Sequence, residues 1–124
     1  MLGECSLLAK LSLADNFIGD DGARSLAGVL GQCQSLTALH LGGTGIRDAG
    51  ARSLADVLGQ CSSLATLDLR KNGIGDEGAW SLASASSSLT ALYLHGNNIG
   101  DDEAGRLAAQ CSSLVRITLG DGDD

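Results

Sequence analysis

Ser12, His40 and Asp68 follow one another at intervals of 28 residues. Brought together, these are the residue types of nucleophilic acyl transfer: an imidazole takes the hydroxyl proton and a carboxylate orients the imidazole. Equal spacing puts all three at one position of a repeated unit, and the series continues as Tyr93 and Thr118. Neighbouring strands would set them side by side. A triad also needs donors for an oxyanion and a pocket that excludes water, and a repeat surface supplies neither. Ser12 stands on no G-x-S-x-G elbow. The expectation is therefore a sheet surface and not a catalytic centre, in a chain that is not an enzyme and needs no cofactor.

Cysteine chemistry is weighed in the same way. Cys5, Cys33, Cys61 and Cys111 share one repeat position, with Ser86 standing in the remaining unit. Zinc sites need Cys-x-x-Cys or Cys/His pairs, and the sequence has neither. A ladder of buried, reduced thiols is expected. Oxidation could join neighbours of that ladder in an incidental disulfide.

The elements that position these residues follow from the spacing of leucines. The pattern L-x-x-L-x-L occurs at Leu8, Leu11, Leu13, and again from Leu36, Leu64, Leu89 and Leu114, with periods of 28, 28, 25 and 25 residues. After each of the first four strands comes an inward polar residue, Asn16, Thr44, Asn72 or Asn97, expected to satisfy backbone groups in the turn. Thr44, being shorter, should do so less completely. Next come Ile18, Ile46, Ile74 and Ile99, then Asp20, Asp48, Asp76 and Asp101, read as helix N-caps. Apolar residues at helical spacing follow, such as Ala23, Leu26, Ala27 and Leu30.

Each unit is thus strand, turn, helix and return. Neither element buries its apolar face alone, so the units must stack, pairing the strands in parallel and covering one sheet face with helices. The helix layer is wider, so the stack curves with the sheet inside. Composition agrees: of 124 residues 44% are hydrophobic but only 2% aromatic, so Leu and Ala fill thin layers. The expected organisation is a single domain over 1–119: a partial helix at 1–7, repeats 8–35, 36–63, 64–88 and 89–113, and a last strand at 114–119. An acidic tail, 120–124, is expected to be disordered. The third and fourth units are shorter by three residues, which should flatten that end, and Glu103 replaces the glycine found at Gly22, Gly50 and Gly78, which should seat the fourth helix less snugly. No polar cap is evident at either end. The sequence therefore reads as a fragment, a truncated product, a design or a piece completed by a partner, with end-to-end self-association open to it.

The pattern LxxLxLxxNxIGDxGAxxLAxxL resembles the ribonuclease-inhibitor-type leucine-rich repeat over nearly the whole chain. The resemblance implies an α/β solenoid, a horseshoe arc with the parallel sheet on its concave face and helices on its convex face. It is almost silent about the task. Repeats of this type serve ribonuclease inhibitors, Ran GTPase-activating proteins and the sensor regions of NOD-like receptors. The C-x-x-L step at Cys33–Leu36, Cys61–Leu64 and Cys111–Leu114 is also similar to the cysteine-containing repeats of F-box proteins.

Binding is the better expectation for the open sheet face. Alternation sends positions three, five and seven of the strand pattern outward. The side chains expected to meet a partner are Lys10, Ser12, His40, Thr66, Asp68, Arg70, Tyr93, His95, Arg116 and Thr118, centred on His40, Asp68, Arg70, Tyr93 and His95. Tyr and Arg are frequent interface anchors. Ala14, Ala38 and Gly42 leave room for a bulky partner side chain. The net charge is −7, which argues against nucleic acid, and no apolar run is long enough for a membrane span. Most acids fall at helix starts, while Lys10, Arg70, Lys71 and Arg116 lie on or beside the strands. A protein partner with an acidic surface is expected, in a cytoplasmic setting. A GTPase regulator is the alternative that the resemblance suggests; a structural scaffold is another.

Overall fold

The computed structural model describes residues 8–85, 89–110 and 116–118. Five strands alternate with four helices: β1 Lys10–Ser12, α1 Gly19–Leu30, β2 Ala38–His40, α2 Asp48–Leu58, β3 Thr66–Asp68, α3 Asp76–Ser84, β4 Ala91–Tyr93, α4 Asp101–Gln110 and β5 Arg116–Thr118. The strands form one parallel sheet in chain order. Its register is that of the leucine pattern: Leu11, Leu39, Leu67, Leu92 and Ile117 lie side by side. The solenoid expected from the repeat is therefore present, with each strand only three residues long. The partial helix, the acidic tail, Cys5, Ser86 and Cys111 fall outside the described residues.

The core lies between sheet and helices. Leu39, Leu67 and Leu92 are fully buried, as are Leu41, Leu69 and Leu94, and Ile46 and Ile74 close the layer beneath the turns. Small residues let the helices approach: Ala23, Ala51 and Ala79 are buried at equivalent points of α1, α2 and α3. A buried leucine contributes about 1.5–3 kcal/mol, and this framework repeats it layer by layer. Cys33 and Cys61 are buried, reduced and part of the same core, and burial pushes the Cys61 thiol pKa up.

Asparagine binds one layer to the next. Asn72 Nδ2 donates to the carbonyls of Leu69, 3.0 Å, and of Leu41 in the preceding repeat, 3.0 Å. Its Oδ1 accepts from the backbone N–H groups of Thr44, 2.9 Å, and Ile46, 3.0 Å. Asn97 repeats the arrangement with Leu94, Leu69 and Ile74. Thr44 is fully buried and donates to Leu41 within its own turn, 2.7 Å. It reaches no other backbone group through its side chain among these contacts, as its length implied, and among the described residues the Asn16 side chain donates to Leu13 and Ala14.

Asp20, Asp48 and Asp76 do not cap their own helices. Asp48 and Asp76 are the first residues of α2 and α3, and neither helix has a side-chain cap bond from its N-cap residue. Each carboxylate instead caps the following helix. Asp20 Oδ1 accepts from Arg47 N, 2.7 Å, and Gly50 N, 2.9 Å. Asp48 Oδ1 accepts from Gly75 N, 2.7 Å, and Gly78 N, 3.1 Å; Asp76 Oδ1 accepts from Gly100 N, 2.9 Å. The acid satisfies the orphan N–H groups and meets the positive end of the helix dipole, but across a repeat boundary. This contact also accounts for the glycines: a Cβ on Gly78 would lie 2.6 Å from Asp48 Oδ1.

Helix length declines from 12 residues in α1 to 11 in α2 and 9 in α3. Packing of α4 on α3 is less extensive than that between the earlier helices, as the glycine-to-Glu103 exchange implied. The Glu103 side chain stands in the gap, bonded to Arg106 at 3.2 Å.

Candidate functional site

β1 to β5 carry the outward series in register: Lys10, Ala38, Thr66, Ala91, Arg116 in one row, and Ser12, His40, Asp68, Tyr93, Thr118 in the next. The sheet thus brings the predicted residues onto one surface, but not equally to solvent. Lys10, Ser12 and Arg70 are exposed; His40, Thr66 and Tyr93 are half-buried; Asp68 and His95 are buried, at 4% and 5% exposure. Arg116 and Thr118 are placed by backbone register alone.

Asp68 is the electrostatic centre. Arg70 Nε donates to both carboxylate oxygens, at 2.9 and 3.0 Å, and Nη2 donates to Oδ2 at 2.7 Å. The backbone N–H of Arg70 adds a bond to Oδ1 at 3.1 Å. Positions five and seven of one strand lie on the same face, so the strand itself makes the pairing possible. Burial works to raise the Asp68 pKa, but the Arg70 hydrogen bonds, its charge and the neighbouring His40 outweigh burial, and the pKa is lowered. The Asp68 hydrogen bond likewise raises the Arg70 pKa. The guanidinium carbon stands 5.9 Å from the centroid of the Tyr93 ring, within cation–π range.

A consequence concerns the Ser-His-Asp series. His40 Nδ1 lies 3.6 Å from Asp68 Oδ2, longer than a hydrogen bond. The carboxylate is committed to Arg70 and so does not orient the imidazole as an acyl-transfer site requires. What the cluster can do is present a fixed cation. Nε and one side of Nη2 are occupied by Asp68, which leaves the Nη1–Nη2 edge to meet an incoming acceptor.

Beside this cluster lies a hollow of about 220 Å³ bordered by Ala14, Gly42, Asp68 and Arg70; Ala38, the third of the small residues, is buried and does not line it. Two larger hollows lie off the centre of the face. One, of about 490 Å³, is on the convex side between α3 and α4, beside the partly exposed Trp80. The other, of about 480 Å³, is at the turns around Phe17, Arg47 and Lys71.

Those turns were not singled out by the strand pattern. Asp15 and Lys71 adopt φ values of 65° and 59°, where the equivalent residues are Gly43 and Gly96. A side chain in that left-handed region costs about 1–2 kcal/mol. Phe17 is 91% exposed. The available signal was the exchange of Asp and Lys for Gly at one turn position, and the left-handed conformation of these residues is evident only from the backbone angle.

Strand, turn and helix in constant register, with inward leucines and asparagines between layers, define a parallel α/β repeat solenoid. The chain belongs to the leucine-rich-repeat family, whose repeat model matches residues 4–27, 32–55, 60–83 and 85–103. No curated protein sequence matches the chain. Among solved structures it is similar to the leiomodin-1 Actin-Binding Site 2 domain, with a TM-score of 0.81 and 16% identity over 95% of this chain and 74% of that one. It is similar to the tropomodulin C-terminal domain of Caenorhabditis elegans, with a TM-score of 0.79, 19% identity and coverage of 95% and 77%. An internalin of Listeria monocytogenes, inlF, gives a TM-score of 0.54 and 24% identity over 99% of this chain and 37% of that one. At these identities the likeness is one of fold.

Proposed function

We propose that the chain is a non-enzymatic protein-binding module whose partner docks on the concave sheet face, around His40, Arg70 and Tyr93. One observation carries this reading: the Arg70 guanidinium is held by the buried Asp68 carboxylate and faces the Tyr93 ring while remaining half exposed. A long cationic side chain normally loses rotamer freedom on binding, and one already fixed loses less. Asp68 and His95 serve beneath the surface, while Lys10, Ser12, His40, Thr66 and Tyr93 meet the partner beside Arg70, with Arg116 and Thr118 further along the sheet.

An acidic partner surface fits the exposed cations Lys10 and Lys71 and the open edge of Arg70. Its association should weaken as salt rises. The internal Asp68–Arg70 pair reduces the net field of the face, so the dependence should be modest. Nothing in the geometry favours the GTPase-regulating alternative over plain binding.

The test is affinity capture with mass-spectrometric identification, followed by titration of the purified partner against the wild-type chain and the Arg70→Ala/Tyr93→Ala variant. Loss of affinity in the variant supports the reading, and equal affinity removes it. Actin is a defined first ligand to titrate, because the similar leiomodin-1 domain is named for an actin-binding site.

A further inference from the structure

Four asparagines occur in the chain, and only Asn72 is followed by glycine, at Asn72–Gly73. An asparagine side chain can close on the backbone nitrogen of the next residue. That nitrogen attacks Cγ, its proton leaves with the departing amide as ammonia, and a succinimide ring forms. Water then opens the ring at one of its two carbonyls. The product is aspartate, or isoaspartate, in which the main chain runs through Cγ. Glycine presents no Cβ to hinder the attack, whereas Phe17, Asn98 and Ile99 follow the other three asparagines. Asn16 is more exposed than Asn72, but Phe17 hinders attack there, so exposure alone does not choose the site.

The fold opposes the first step. Ring closure removes the Gly73 N–H and detaches Nδ2, so it must break every bond these groups make. Gly73 N–H donates to the carbonyl of Ile46, 2.8 Å away in the preceding repeat. Nδ2 donates to the carbonyls of Leu41 and Leu69, both at 3.0 Å, and of Arg70 at 3.2 Å. Oδ1 is held by the N–H groups of Thr44 and Ile46. Leu41, Thr44 and Ile46 all belong to the second repeat, so closure requires the second and third repeats to part. The product cannot restore the contacts. An ionised carboxylate only accepts hydrogen bonds, and one of its oxygens would face the carbonyls of Leu41, Leu69 and Arg70. Isoaspartate adds a carbon to the main chain between β3 and Ile74. We propose that Asn72–Gly73 is a spontaneous modification site that stacking keeps closed: it converts when the second and third repeats separate, and conversion then prevents them from restacking.

The test incubates the full chain in mildly alkaline buffer with and without urea. Proteolysis and mass spectrometry locate each converted asparagine, and electron-transfer fragmentation distinguishes aspartate from isoaspartate. Asn72 should convert in urea, and at least about tenfold more slowly in the folded chain, because the repeats must first open. Asn16, Asn97 and Asn98 should lag behind Asn72 in urea. Converted chains carry an added negative charge, so anion exchange in urea separates them from unconverted chains of the same sample. On dilution from urea the unconverted fraction should regain the circular-dichroism spectrum of the fresh protein, and the converted fraction should not. Gly73→Ala gives an independent check. A Cβ there would lie 3.1 Å from Cγ of the exposed Arg47 side chain, which can move aside and leave the Asn72 contacts in place. This variant should stay unconverted and able to refold after the same incubation. Equal rates at Asn72 with and without urea, or a converted fraction that regains the native spectrum, would overturn the site. So would conversion elsewhere ahead of Asn72, or loss of refolding in Gly73→Ala as fast as in the wild type.

Discussion

Arg70 and Asp68, two residues apart on one strand, form a bidentate pair at 2.7 to 3.0 Å in which the carboxylate is buried and the guanidinium half exposed. The pair belongs both to the stability of the sheet and to the proposed interface.

Removal of the arginine should therefore be felt in the free protein. Arg70→Ala leaves the Asp68 carboxylate with fewer donors, at a cost of about 1–2 kcal/mol, kept low because water can enter where Arg70 stood. The urea midpoint should fall accordingly at pH 7. Because the Asp68 pKa is lowered in the folded chain, the pair's contribution is complete above the unfolded carboxylate value of about 3.9 and is lost as pH falls through the lower folded value. The gap between wild type and Arg70→Ala should thus narrow in strong acid; a gap that stays constant to pH 2 would contradict the linkage.

Asn72 should be far more sensitive than Asn16. Asn72→Ala strips donors and acceptors from Leu41, Leu69, Thr44 and Ile46 at the centre of the stack, a loss of about 2–4 kcal/mol when several backbone groups go unsatisfied. Asn16→Ala removes only local bonds in an exposed turn and should cost less than about 1 kcal/mol. Thermal unfolding of the two variants checks the order.

The caps that cross repeats predict coupling between residues 30 positions apart. Asp48→Ala should cost about 1 kcal/mol, as loss of a helix cap does. Gly78→Ala should also destabilise, since its new Cβ would meet Asp48 Oδ1 at 2.6 Å and Ile74 Cγ2 at 2.9 Å. In the double variant the carboxylate clash is gone and the contacts with Ile74 Cγ2, 2.9 Å, and Ala51 Cβ, 3.1 Å, remain, so the cost of the pair should be less than the sum of the separate costs. Strict additivity in a denaturant series would refute the shared contact.

Thiol chemistry gives a further check. Cys33 and Cys61 are buried, and burial raises the Cys61 pKa, so neither should alkylate in the native chain at pH 7.5. Both should react fully in denaturant. Peptide mapping after iodoacetamide distinguishes these sites from the other cysteines.

Much of this molecule could be read from leucine spacing, because burial on one side of every strand fixes register without ambiguity. Leu11, Leu39 and Leu67 place Ser12, His40 and Asp68 beside one another from sequence alone. Two kinds of information were not legible. A capping aspartate looks the same whether it serves its own helix or the next, and only the packing distance between repeats sends Asp20 to α2. Exposure along the outward rows also depends on neighbours: Asp68 and His95 occupy outward positions yet are buried, and the Arg70 side chain lies against Asp68. Phe17 stands in the turn with no periodic partner, so its exposure emerges only from the structure.

The central claim is that the concave face binds a protein through a preset Arg70–Tyr93 pair. The most direct measurement is the dissociation constant of the captured partner for the wild type and for Arg70→Ala/Tyr93→Ala, compared at a temperature where both are folded by circular dichroism. The account predicts a loss of about tenfold or more, the size expected when interface anchors are truncated. Equal constants for the two proteins would contradict it.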